Sequence, residues 1–182
     1  MLPSFRNDIT TGANSPPLRY AYGPCKQGIL HDLSKYSPTE LKTGAKYWVG
    51  TRSPNSIERE TIGYSSAWLH HKGRNKHHWE YWVDFTRKGQ VPAKMPYNYV
   101  LEMFCDRVAA SKIYEGKNYT DAFPLQYYES GQYSYILHPE TRALLRFMLV
   151  YLKDHGLDDT IKMINRHHDY DEYFVEFKDD LM

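Results

Sequence analysis

HDLSKYSPTE, residues 31–40, reads as a stop followed by a restart. Ser37 can accept a hydrogen bond from the first turn of a new helix. Pro38 suits the first helical position, where its missing N–H would have had no partner anyway. Glu40 places an acid beside the exposed N–H groups of that turn. Immediately before the break stand His31 and Asp32, with Lys35 on the same short turn. Consecutive helical residues point about 100° apart, yet both can reach one ion if the helix end faces it. Taken alone, the pair is equally a surface dyad, or Asp32 a local cap.

Downstream, the helix opened by Ser37 carries Leu41, Ala45 and Trp48 at helical spacing and ends near Gly50. Thr51–Asn55 is a loop. Ser56 then caps a helix with Ile57, Thr61, Tyr64 and Trp68 on one side, ending around Gly73. A further helix is expected over Lys76–Phe85, and Arg87–Pro96 is a linker with Gly89, Pro92 and Pro96. YNYVLEMFCDRVAASKIY (97–114) places Val100, Met103, Phe104, Val108 and Ile113 on an apolar stripe. Residues 116–138 are Tyr-rich and irregular. Thr141–His155 is amphipathic through Leu144, Leu145, Met148, Leu149 and Leu152, with Gly156 as its C-cap. A short last helix follows, and YFVEF (173–177) is the one stretch with a strand-like pattern. Upstream, Pro16-Pro17 opens a segment running to Tyr36, and residues 1–16 are polar and aperiodic. The expected architecture is all-α: a flexible arm over 1–16 and one helical bundle over 17–182.

The second informative stretch is HHKGRNKHHWEYW, residues 70–82, which puts four of the nine histidines within nine residues. Positions 70 and 77, like 71 and 78, are seven apart, nearly two helical turns. Each pair could share a face if the helix continued; Gly73 makes a helix–turn–helix with ligands on both arms an equal expectation. Lys72, Arg74 and Lys76 interleave, so a solvated basic face is the plain alternative; the same mix suits an anion beside a metal. Asp106 lies in the stripe of residues 97–114, where a carboxylate is costly unless paired or liganded. Arg107 is an alternative partner. Imidazoles with carboxylates suit a divalent ion, with Mn, Fe, Co, Ni, Zn or Mg as candidates, that holds phosphate or activates water. His138 carries little information, His155 and the His167-His168 pair read as surface residues, and Cys105 reads as a small core residue.

Twenty-three Lys and Arg against 22 Asp and Glu give a formal charge of +1, which makes no general case for nucleic acid or an anionic membrane. No apolar run approaches the ~20 residues that span a bilayer. The first residues hold no apolar core of a secretory signal, and two cysteines make no disulfide framework. The expectation is a cytoplasmic chain with no membrane partner.

HDLSK resembles the HDxGK-type signature of the HD-domain superfamily of metal-dependent phosphohydrolases. The resemblance implies an HD-like helical fold. It implies His31, Asp32, His71, His78 and Asp106 as metal ligands, and Lys35, Arg74, His70 and His77 as residues acting on a small phosphorylated substrate or nucleotide. More closely, HDLSKYSPTE, GYSSAWLHHKGRNKHHWEYW (63–82) and MPYNYVLEMFCDRVAASK (95–112) resemble an uncharacterised domain family of Gram-positive bacteria and their phages. Superfamily members carry one more ligand histidine before the dyad; no histidine precedes His31 here. The departure sets a second expectation beside hydrolysis: a non-catalytic metal- or nucleotide-binding module.

Overall fold

The computed structural model describes residues 32–50, 52–131 and 136–181. His31, the expected arm and the expected segment from Pro16 to Tyr36, apart from its last turn, lie outside these. The described residues form eight α-helices and one small hairpin, so the expectation of a mainly helical protein is met at that level.

Leu33–Tyr36 is a single 3-10 turn. Helix α1 (Pro38–Tyr47) begins as its sequence indicates: Ser37 accepts from the Glu40 N–H at 3.3 Å. Its inward face is not the expected one. Thr43 and Tyr47 are buried, whereas Leu41 and Trp48 remain exposed. The reason is polar: Glu40 hydrogen-bonds His70 and His71, and that contact sets the rotation of the helix.

The helix expected from Ser56 to Gly73 is two helices, α2 (Pro54–Ile62) and α3 (Ser66–Lys72). Gly63 divides them at φ 87°, a conformation costly to any residue with a Cβ. Ser65 restarts the chain by accepting from the Trp68 N–H at 3.0 Å. Buried Glu58 on α2 accepts from the Ser65 and Ser66 hydroxyls, both at 2.6 Å, and so clamps the start of α3.

No helix spans 76–85. Residues 73–78 turn, Trp79–Trp82 makes a 3-10 turn, and β1 (Val83–Thr86) pairs antiparallel with β2 (Gly89–Pro92), Val83 facing Pro92 and Thr86 facing Gly89. Both strands are largely exposed, so no alternation of core residues announces them. The Arg87-Lys88 turn is closed at Gly89, where φ is 101°.

The core is built by α4 (Tyr97–Glu115), α5 (Phe123–Ser130) and α6 (Pro139–Arg166). Val100, Phe104 and Val108 of α4 belong with Leu144, Leu145, Met148, Leu149 and Leu152 of α6 to one buried cluster, as their 3–4 spacing requires. α5 falls in the stretch expected to be irregular. The YFVEF stretch is mostly helical: α7 (Tyr170–Glu176) is capped by Asp169 and buries Tyr170 and Tyr173 three apart. The short α8 (Lys178–Leu181) ends the described chain. No helix among the described residues is long and apolar enough to cross a membrane.

Helix α6 does not stop at Gly156 but changes direction there, at φ 78° and ψ 172°. This region of backbone space is essentially reserved for glycine. Gly156→Ala is therefore expected to destabilise the protein by about 1–3 kcal/mol. The check is a shift in the urea midpoint at unchanged m-value; an unchanged midpoint would contradict it.

Candidate metal centre

The site lies where α1, α3 and the turn after α3 meet α4. His71 is on the last turn of α3. His77 and His78 follow the tight turn at Gly73–Asn75, which folds the chain back on itself. The sequence-level reading of two arms around Gly73 describes this geometry better than a continuous helix. His71, His77 and His78 each present a ring nitrogen within 4.8 Å of the others. Asp32, at the start of the first 3-10 turn, brings Oδ1 to 3.4 Å from His71 Nε2 and 3.8 Å from His77 Nε2.

Two carboxylates, half-buried Glu40 and buried Glu102, orient these rings. Glu40 Oε2 lies 3.0 Å from His71 Nδ1, and Glu102 Oε1 lies 2.9 Å from His77 Nδ1. A carboxylate only accepts, so the proton sits on Nδ1 in each ring and the Nε2 lone pair is left to the site. Asn75 Nδ2, also 2.9 Å from His71 Nδ1, can donate to Ser34 Oγ and the His71 carbonyl instead. This is the arrangement by which proteins hold imidazole ligands on a metal: the far nitrogen donates to a carboxylate, which sets the ring and raises its basicity. His77 is 1 % exposed and Glu102 5 %, so the pair is locked by packing as well.

Burial pushes the Glu40 carboxyl up, but hydrogen bonds from His71 and His70 outweigh that and leave it below its ordinary value. His78 is held down to about 2, by burial first and then by the neighbouring charges of His77 and His71. It is therefore a neutral imidazole, the form that ligates. Its Nε2 is buried and makes no hydrogen bond among the described residues. A buried polar atom without a partner is costly, and a cation in the cluster would satisfy it. Trp68 packs edge-on against His78 at 4.8 Å and stacks on His71 at 5.7 Å, covering that side of the cluster.

The depressed His78 pKa carries a pH prediction. The unfolded imidazole binds a proton below about 6.5 that the folded one refuses until about 2. The unfolded state then binds more protons, so stability rises with pH across that window and falls on acidification. Below pH 6.5 the metal-free protein is expected to lose about 1.4 kcal/mol per pH unit from this one group. Urea midpoints between pH 7.5 and 5 read it, and His78→Gln should flatten the slope. An unchanged slope in that variant would show that His78 is not the titrating group.

The other expected site residues are placed as follows. His77 joins the three imidazoles rather than standing apart from the ligands. His70 is turned to Glu40, with Nδ1 2.8 Å from Oε1, and is not one of the three. Lys35 Nζ forms an ion pair with Asp32 Oδ2 at 2.6 Å. Arg74 is exposed and donates to the His70 carbonyl of its own turn. Asp106 is half-buried and is not among the converging ligand atoms; Glu102, one turn earlier on the same face of α4, makes the contact to the cluster. Glu40 and Glu102 were missed. Glu102 carried a readable signal, because it sits between Leu101 and Met103 in the same apolar stripe that drew attention to Asp106.

A family model described as a family of unknown function, DUF5662, matches residues 8–150, and the chain belongs to that family. Neither the curated proteins nor the solved structures give a match.

Proposed function

We propose that this member of DUF5662 is a metal-dependent phosphohydrolase acting on a small phosphate ester or nucleotide. One observation carries the reading: His71 and His77 are each tied through Nδ1 to a carboxylate, half-buried Glu40 and buried Glu102, and their Nε2 atoms converge beside His78 and Asp32 Oδ1. A set of three imidazoles and one carboxylate suits Zn, Fe, Mn, Co or Ni better than Mg, which prefers all-oxygen shells. When bound, such an ion supplies Lewis acidity: it polarises a phosphoryl oxygen and lowers the pKa of water.

The chain's own groups do the rest. Glu40 and Glu102 keep the rings in the ligating tautomer. Lys35, through its ion pair with Asp32, sets the carboxylate's orientation and adds positive charge at the phosphate side. His70 shares Glu40 with His71 and stands at the edge of the cluster, where it can take or give a proton during ester cleavage. The order of dyad, histidine cluster and helical acid also resembles that of the HD-domain superfamily.

Protein purified without chelator should contain a transition metal. It should release phosphate from a panel of nucleotides and phosphomonoesters supplemented in turn with Mn, Co, Ni, Fe and Mg, and His71→Ala should abolish both. The absence of a histidine before His31 favours one other reading, a metal-binding module without turnover. Stoichiometric metal with no phosphate release across the panel would establish that reading and overturn hydrolysis.

A further inference from the structure

Asp32 faces two histidines that do not by themselves draw it in. With the protons of His71 and His77 on Nδ1, both Nε2 atoms meet the site as lone pairs. Asp32 Oδ1, 3.4 Å from one and 3.8 Å from the other, is an acceptor too. Such a meeting of acceptors becomes favourable only with a cation between them. The ion pair from Lys35 closes within the same short turn, so it orients the carboxylate without tying that turn to the histidines.

Asn75 makes that tie. It is 6 % exposed and sits in the turn between His71 and His78. Its N–H donates to the His71 carbonyl at 3.0 Å, and its carbonyl accepts from the His78 N–H at 3.1 Å. Its side chain reaches back across 41 residues, with Nδ2 2.7 Å from Ser34 Oγ and 3.0 Å from the His71 carbonyl. The two hydrogens of the amide thus have two acceptors, as a buried amide requires. Ser34 belongs to the 3-10 turn Leu33–Tyr36, in which the Lys35 N–H donates to the Asp32 carbonyl at 2.9 Å and the Ser37 N–H to the Ser34 carbonyl at 2.8 Å. Ser34 Oγ also lies 3.0 Å from His71 Nδ1, and its hydroxyl helps to hold the Glu40 carboxyl low. Because Ser34 accepts from Asn75, its own proton is left for Glu40, the carboxylate that orients His71. One buried amide therefore joins the turn that carries Asp32 to the turn that carries the histidines.

We propose that Asn75 is a positioning residue for the metal centre: its amide, through Ser34, holds the turn bearing Asp32 against the three imidazoles, so that the carboxylate stands in place before an ion arrives. The metal half of this inference rests on reading the histidines as a metal centre; the tie between the two turns does not. Ligands placed in advance bind more tightly, because their ordering is completed on folding rather than at binding. Neither Asn75 nor Ser34 is among the converging ligand atoms, so both act through Asp32 and the rings.

The test uses the full chain stripped of metal by chelator. In Asn75→Ala the amides of Lys35 and Ser37 should exchange with deuterium at least about 10-fold faster than in the wild type, the loss of roughly one hydrogen bond. Those of Leu144–Leu152 on α6 should not change. Cobalt affinity, read against a competing metal indicator, should fall about 10–100-fold in Asn75→Ala. A double variant with Asp32→Ala should bind within about 3-fold of Asp32→Ala alone, since the two residues act in series. Ser34→Ala breaks the same tie from a half-buried position and carries the test if Asn75→Ala does not fold; Ser34→Thr keeps the hydroxyl and should keep the affinity. Unchanged exchange at Lys35 and Ser37, wild-type cobalt affinity in both alanine variants, or losses that multiply in the double variant would each overturn the proposal. If the wild type takes up no metal, the metal-centre reading has failed and the positioning role with it, while faster exchange in Asn75→Ala would still establish the tie between the turns.

Discussion

His71→Ala is expected to lower transition-metal affinity by more than about 100-fold. The ring supplies one of three converging nitrogens, and metal sites depend steeply on ligand count and preorganisation. Glu40→Gln tests the same account more finely. Gln keeps the shape but removes the charge that holds the proton on His71 Nδ1, and the loss should be about 10–100-fold. Arg74→Ala should leave affinity unchanged, because that guanidinium is exposed and turned to its own backbone. Titration of chelator-stripped protein against a competing metal indicator gives all three values. Wild-type affinity in His71→Ala would remove the cluster from consideration as a metal centre.

The largest effect on stability is expected at His77. Its Nδ1 donates to Glu102 Oε1, and both side chains are almost wholly buried. His77→Ala takes one hydrogen-bond partner from a buried carboxylate, and breaking such a pair typically costs about 3–5 kcal/mol. The pair itself need not be worth that much. Removing both members, as in His77→Leu with Glu102→Leu, should recover most of the loss, to within about 1–2 kcal/mol of the metal-free wild type. Urea unfolding of the stripped proteins supplies the comparison. A double variant as unstable as the sum of the two single losses would show that Glu102 serves α4 for some other reason.

Much of this fold is legible because its determinants are local. Ser37-Pro38-Glu40 announces the start of α1, and the apolar spacing of residues 97–114 and 141–155 announces the two longest helices. The hairpin at 83–92 is not legible in this way, since its strands are exposed and their residues answer to no core. The inward face of α1 was misread for a related reason: hydropathy points to Leu41 and Trp48, while the helix is turned by a carboxylate reaching histidines thirty residues on. The candidate site divides along the same line. Clustered histidines are visible in one dimension. Glu40 and Glu102, which orient them, are paired across 31 and 25 residues, and no spacing rule reaches that far. Asp106 and Glu102 stood equal before the burial argument, and only the packing of α4 against the turn after α3 distinguishes them.

X-ray absorption at the edge of the metal that copurifies with the protein tests the central claim most directly. The account expects a nitrogen and oxygen shell with the multiple-scattering signature of at least two imidazoles, at about 2.0–2.1 Å if the ion is zinc. That signature should weaken by one ring in His78→Gln. A metal-free protein, or a first shell without imidazole scattering, would contradict it.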